Sequence, residues 1–150
     1  MTTGLEAFDK TVQKTNEWLG TVMRAIPSQD RKVAYAALRA VLHALRDRLP
    51  LQSAVGLGAQ LPMLVRGIYY DGWQPSPDGR PVHARNVDEF LTMVELGIPE
   101  VTQVDAETAT RAVFGALERH VDPREIEKVI HLLPKHIQEL WRVSLEPRDD

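Results

Sequence analysis

The chain aligns with itself at a constant offset and without a gap, and this internal repeat limits the fold more than any other feature. Positions 14–69 fall on positions 86–141, so that 38–45 lie on 110–117 and 61–62 lie on 133–134. The matches lie at apolar positions and at a proline, where a shared fold would place them. Self-similarity at a fixed period predicts two copies of one structural unit.

The apolar residues of both copies recur at helical spacing, and no stretch alternates with the period of two that indicates a strand. In the first copy this spacing predicts helices at about 4–25, about 29–48, from Pro50, and from Pro62 to about Tyr69. Pro27 ends the first of these helices, and Ser28 is the expected N-cap of the second.

The second copy repeats this plan. Its predicted helices run from Asn86 or Asp88 to about Leu96, over about 103–120, from Pro123, and from Pro134. Asp122, followed by proline and then by glutamate two positions later, is a strong helix start. We therefore predict an all-α fold of about eight helices, in two tandem pseudo-symmetric four-helix repeats that share one core.

The domain organisation follows from the repeat. Residues 1–150 are expected to form a single helical domain whose repeats, about 4–70 and 86–143, are joined by a loop at 71–85. Units of about 60 residues are marginal alone, which favours one shared core. Three prolines and two glycines indicate the loop. Trp73 is expected to pin it to the helical body as a strap.

Charge and composition exclude several classes of protein. The net charge is −3 and there is no cysteine. This argues against a dedicated nucleic-acid binder, which is usually basic, and against disulfides and thiolate metal sites. No apolar run approaches the roughly 20 residues of a membrane span. With no secretory signal visible, the sequence favours a cytoplasmic location.

Two groups of charged or metal-binding side chains have a plain structural explanation. Four basic residues of the second helix, Arg31, Lys32, Arg39 and Arg46, gather opposite its apolar face. They could contact phosphate or an acidic partner, but a solvated helix face is the commoner reason. The five histidines lack the spacing of three or four that a helical metal site needs, so no metal and no cofactor are predicted.

The densest cluster of binding-capable side chains surrounds the start of the inter-repeat loop. It consists of Arg66, Tyr69, Tyr70, Asp71 and Trp73. As a binding site, Arg66 would hold an anion while the aromatic rings stack on a planar ligand. As structure, the aromatic rings would fix the loop, and Arg66 would pair with Asp71 or with a helix C-terminus. Aromatic side chains mostly serve packing, which favours the structural interpretation.

The run from residue 59 to residue 75 resembles the signature segment of a family of bacterial and archaeal proteins, the domain of unknown function 2267. Arg85 and Phe90 also fit that pattern, as do Leu133, Pro134 and Trp141, so the resemblance covers nearly the whole chain. It implies an all-helical fold with two similar halves and implies no reaction. Glutamate is common in the family where this chain has Asp71, a change that keeps the charge.

No catalytic, metal or phosphate motif is present, so no enzyme is predicted. The function expected from the sequence is a non-enzymatic cytoplasmic interaction or scaffold module, either a homo-oligomer or bound to a protein partner. The alternative is a small-molecule-binding or sensory domain with a pocket between the repeats, near Arg66, Tyr69, Tyr70, Asp71, Trp73 and Arg85. A pocket with converging polar groups would favour the alternative. An exposed apolar patch would favour the interaction module.

Overall fold

The structure, a computed structural model, describes residues 2–81 and 87–142. This part of the chain contains eight α-helices, one short 3-10 helix and no strand, which confirms the all-α prediction. In chain order the α-helices are α1 (Glu6–Ala25), α2 (Arg31–Arg48), α3 (Leu51–Ala59), α4 (Met63–Tyr70), α5 (Val87–Gly97), α6 (Ala106–His120), α7 (Pro123–His131) and α8 (Lys135–Gln138).

The helix bounds agree with the offset of the self-alignment. Helices α3 and α7 begin and end at corresponding positions, and α2 and α6 end at the corresponding residues Arg48 and His120. Helices α1 and α5 likewise end at Ala25 and Gly97, and α4 and α8 begin at corresponding positions. The duplication itself stays a prediction from the sequence.

The helix starts differ in detail from those expected. The N-cap of α2 is Asp30, not Ser28, because the Asp30 carboxylate accepts the main-chain N–H of Lys32 at 2.8 Å. Ser28 accepts the N–H of Asp30 instead. Pro62 and Pro134 are the N-cap residues of α4 and α8, one position before each helix begins. The Asp122 cap is as predicted, with its carboxylate accepting the N–H of Arg124 at 2.8 Å.

One cluster of buried apolar residues runs through both halves of the chain. Its largest members in the first half include Trp18, Leu38 and Leu42, and those in the second half include Phe90 and Phe114. Leu61 and Leu133, which precede the N-cap prolines of α4 and α8, are both buried. Both leucines therefore belong to the core, at positions that correspond in the self-alignment.

Contacts between the halves hold the helices together. Helix α1 packs on α6 as well as on α2, and α2 packs on α5 and α6. Within the second half, the ring of Phe114 stacks on Trp141, with centroids 3.9 Å apart. Across residues 2–81 and 87–142, no helix has the length and apolar character needed to cross a membrane.

Candidate functional site

Arg66, the proposed anion-binding residue, makes hydrogen bonds to main-chain carbonyls of the protein itself. Its side chain lies across the end of α3, where Nε donates to the carbonyl of Gly58 at 2.9 Å and an Nη atom donates to the carbonyl of Leu61 at 2.9 Å. The last carbonyls of a helix lack partners within the helix. Arg66 therefore caps α3, as one of the two structural interpretations expected.

The aromatic residues of the cluster fix α4 and the loop to α3. The hydroxyl of Tyr69 donates to the carbonyl of Ala54 at 2.7 Å, and burial raises the pKa of that phenol above its ordinary value. The Tyr70 ring stacks on Trp73, with centroids 5.5 Å apart. A Cβ atom at Gly58 would overlap the Tyr70 hydroxyl, so glycine is needed where α3 and α4 meet.

The carbonyls at the C-terminal end of α4 bind polar side chains of α2. Arg46 donates from one Nη atom to the carbonyls of Tyr69 at 2.7 Å and Asp71 at 2.9 Å. His43 donates from Nε2 to the carbonyl of Ile68 at 2.7 Å, and burial lowers its pKa. The prediction that Arg46 lies on the solvated basic strip is wrong, since only 6% of the residue is exposed.

The carboxylate of Asp71 is exposed and pairs with α2. Arg39 donates to it at 2.8 Å, and this hydrogen bond is the largest cause of the lowered pKa of Asp71. The α2 arginines thus divide between two roles. Arg39 forms a surface ion pair, whereas Arg46 donates hydrogen bonds to main-chain carbonyls at the end of α4 that have no partner within the helix.

The described part of the inter-repeat loop, up to residue 81, returns to the start of α3. The main-chain N–H of Leu51 donates to the carbonyl of Gly79 at 2.9 Å. Gly79 has a φ of +75°, a conformation that favours glycine. Trp73 is partly buried against the core, and its ring stacks on that of Tyr70. Arg85 and the rest of the loop lie outside the described residues.

The proposed cluster therefore contains five described residues in one region, and most of their polar groups are used. Tyr69 and Arg66 bind carbonyls, and Asp71 binds Arg39. The indole Nε1 of Trp73 is buried without a hydrogen-bond partner among the described residues. This arrangement fastens α3, α4 and the loop to one another and leaves few groups for a ligand.

The sequence analysis missed a second region, the seam between α1 and α6. His120 stacks on the buried ring of Trp18, and its Nε2 lies 2.9 Å from the hydroxyl of Thr21. That hydroxyl donates to the carbonyl of Glu17, so His120 donates to it. Burial, followed by the charge of Arg119, lowers the pKa of His120.

Open clefts follow this seam. One of about 520 Å³ lies over Trp18, Leu61 and Met63, between α1 and the start of α4. Another, of about 470 Å³, lies at the C-terminal end of α1 and contains four arginines: Arg24, Arg111, Arg119 and Arg142. The sequence carries a signal for this cleft, because Arg111, Gly115 and Arg119 recur at every fourth position on one face of α6.

The described residues include no group of three or more histidine, aspartate or glutamate side chains placed to hold a metal ion. The pair of Glu127 and His131, which has helical metal-site spacing, is exposed and 3.9 Å apart.

A family model described as an uncharacterized conserved protein, DUF2267, matches residues 15–140. No curated protein matches the chain. The match covers most of the chain and carries no assigned activity, so function has to be argued from the surface of the molecule.

Proposed function

Because the chain belongs to the DUF2267 family, which brings no activity with it, we propose from its own surface that it is a non-enzymatic helical interaction module that pairs with a second copy of itself. The cytoplasmic location expected from the sequence stays part of this proposal. The observation that carries it is an uncovered apolar stripe on the N-terminal half of α1.

That stripe, Leu5, Phe8 and Val12, continues a face that the fold buries further along the helix. Leu5 and Phe8 are 50% exposed and Val12 is 42% exposed. The same spacing of three and four positions leads on to three buried residues: Thr15, Leu19 and Val22. Such spacing is typical of a helix face that packs against another helix. This face of α1 is thus covered by the protein over the second half of the helix and exposed over the first half.

Among the described residues, the stripe has no counterpart in the second half of the chain. The self-alignment begins at position 14, and α5 begins at Val87, which corresponds to Thr15. The start of α4 does approach the stripe, since the N–H of Leu64 donates to the hydroxyl of Thr11 at 2.9 Å. Met63 and Leu64 are themselves exposed, and Met63 lines the cleft between α1 and α4.

An identical stripe on a second copy suits this surface best. Two such stripes laid antiparallel about a two-fold axis cover the apolar side chains of both molecules, and a surface that complements itself in this way forms a closed dimer. Of the charged residues near the start of α1, Asp9 lies beside the stripe, whereas Lys10 and Lys14 lie toward the opposite face and line the cleft next to α4. The proposed pairing therefore depends on the apolar stripe and not on the charges of α1.

Sedimentation velocity on the whole chain tests this proposal. We expect a concentration-dependent species of twice the chain mass of 16.9 kDa. The Phe8→Glu variant should be monomeric, because dimerisation would bury the new charge in the stripe without a partner. The matched control is Leu132→Glu, which places the same charge outside the stripe, at a residue that is 41% exposed. A monomer at all concentrations, or equal dimerisation of both variants, would overturn the proposal.

The small-molecule alternative near Arg66 and Trp73 receives less support from the geometry. Its anion-binding residue caps α3, and the hydroxyl of Tyr69 binds Ala54. The cleft at the other end of α1 offers more groups to a ligand, since four arginines line it.

A further inference from the structure

The arginine cleft, defined by Arg24, Arg111, Arg119 and Arg142, gathers four positive charges around one opening. No aspartate or glutamate belongs to its lining among the described residues. Two carboxylates contact these arginines from outside the lining: that of Glu107 lies 3.8 Å from Arg111, and that of Glu118 accepts the main-chain N–H of Arg142. Like charges repel unless an opposite charge lies between them. An anion bound in the cleft would therefore reduce the repulsion among the four arginines.

The guanidinium groups in the cleft make few hydrogen bonds within the described part of the protein, and those bonds are long. The side chains of Arg119 and Arg142 make no hydrogen bond or ion pair within the described part of the chain, and Arg24 reaches only the Thr21 hydroxyl at 3.4 Å. Arg111 makes one hydrogen bond to the carbonyl of Glu139, also at 3.4 Å, and an exposed ion pair with Glu107 at 3.8 Å. By contrast, Arg66 makes two hydrogen bonds of 2.9 Å. Arginines that serve the fold are bound more closely than those in the cleft.

Comparison of equivalent positions explains why the cleft is open. Gly115 corresponds in the self-alignment to His43, whose ring in the first half binds the carbonyl of Ile68 at the end of α4. In the second half the ring is absent, and a Cβ at Gly115 would meet no described atom within 4 Å. The space that His43 fills in one half is thus open in the other, beside Arg111 and Arg119.

We propose that the arginine cleft binds a small oligophosphate, a ligand with two or more linked phosphate groups. Arginine is the side chain best suited to phosphate, because its planar group donates two parallel hydrogen bonds. Four arginines around one opening can engage more than one phosphate group, which favours linked phosphates over a single one. The volume of about 470 Å³ suits a small ligand. The rest of the described lining is small or aliphatic, with Ala25, Ala112 and Leu140, and offers no aromatic ring on which a nucleobase could stack.

Calorimetric titration of the full chain with inorganic pyrophosphate, at low ionic strength, tests this proposal. We expect pyrophosphate to bind more tightly than orthophosphate, since it engages more of the arginines. Arg119→Gln should weaken pyrophosphate binding by about tenfold or more, as expected for the loss of a hydrogen bond from a charged group. Gly115→Leu should abolish binding by filling the cleft, with all four arginines kept.

Two controls separate site binding from general charge attraction. Arg80→Gln makes the same charge change in the inter-repeat loop, where Arg80 is highly exposed, and should leave pyrophosphate binding unchanged. Gly115→Leu places a good helix former in open space, so its melting temperature should not fall. Equal weakening by Arg80→Gln and Arg119→Gln, undiminished binding to a folded Gly115→Leu variant, or absence of pyrophosphate binding to the unaltered chain would each overturn the proposal.

Discussion

The imidazole of His120 lies nearly parallel to the buried indole of Trp18, with ring centroids 5.1 Å apart and an interplanar angle of 22°. The contact joins the last residue of α6 to the middle of α1. It brings the two halves of the chain together at one point, and it makes that junction sensitive to protonation of the ring.

Stability should therefore fall as the solution becomes acidic. Burial lowers the pKa of His120 below the value near 6.5 of an unfolded chain. As pH falls through about 6.5, the unfolded chain binds protons before the folded one, so the free energy of unfolding decreases. The positive charges of Arg119, Lys14 and Arg24 oppose protonation, and the negative charge of Glu17 favours it.

The measurement is the melting temperature between pH 8 and pH 5 for the unaltered chain and for His120→Gln. The variant should lose part of the slope. His43, whose pKa is lowered by burial as well, should account for a further part in a double variant. Identical slopes for all three proteins would show that neither histidine is responsible.

The two leucines that follow helix α7 should respond very differently to truncation. Leu133→Ala removes a buried side chain and should lower the free energy of unfolding by about 2–5 kcal/mol. Leu132→Ala, at the preceding residue, which is partly exposed, should cost clearly less. Urea denaturation of both variants measures the difference. Similar losses would show that residue 133 does not belong to the core.

Gly58→Ala should destabilise the protein by about 1–3 kcal/mol, because the new methyl group overlaps the side chain of Tyr70. Gly67→Ala is the matched control in α4, where a Cβ meets nothing within 4 Å. It should be neutral or stabilising, since alanine favours helix. In a Tyr70→Ala background, Gly58→Ala should lose most of its cost. An unchanged cost there would mean that the overlap is not its cause.

Arg46→Met and Arg39→Met should separate buried from exposed arginine. Removing Arg46 leaves the carbonyls of Tyr69 and Asp71 without this donor, and should cost about 1–3 kcal/mol. Removing Arg39 breaks an ion pair of two partly exposed side chains, so its effect should be smaller. Denaturant midpoints measure both. A larger loss for Arg39→Met would contradict these roles.

Local sequence signals were enough to predict the helices and some of their ends. The Asp122 cap needs only neighbouring residues, so its pattern could be recognised directly. The burial of Arg46 could not, because its partners are carbonyls at the end of α4, two helices further along the chain. For the same reason the sequence offered two destinations for Arg66 and could not choose the end of α3 over Asp71.

The arginine cleft shows a different limit. Arg111, Gly115 and Arg119 share a helix face that can be read from their spacing. Arg24 and Arg142 belong to other parts of the chain and reach that face only through tertiary packing. Whether the space at Gly115 is filled depends on neighbours that no local pattern specifies.

The packing of α1 against α6 also has a consequence for how the chain is made. A ribosome completes α1 at Ala25 and begins α6 only at Ala106, after the α-helices α2 to α5 have been translated. During that interval the Trp18 ring lacks the ring of His120, and α1 lacks α6, one of its main packing partners. The side of α1 that packs on α6 therefore stays exposed in the nascent chain until most of the second half has been synthesised. The final packing of α1 is a late event of synthesis, although α1 is the first helix to be translated.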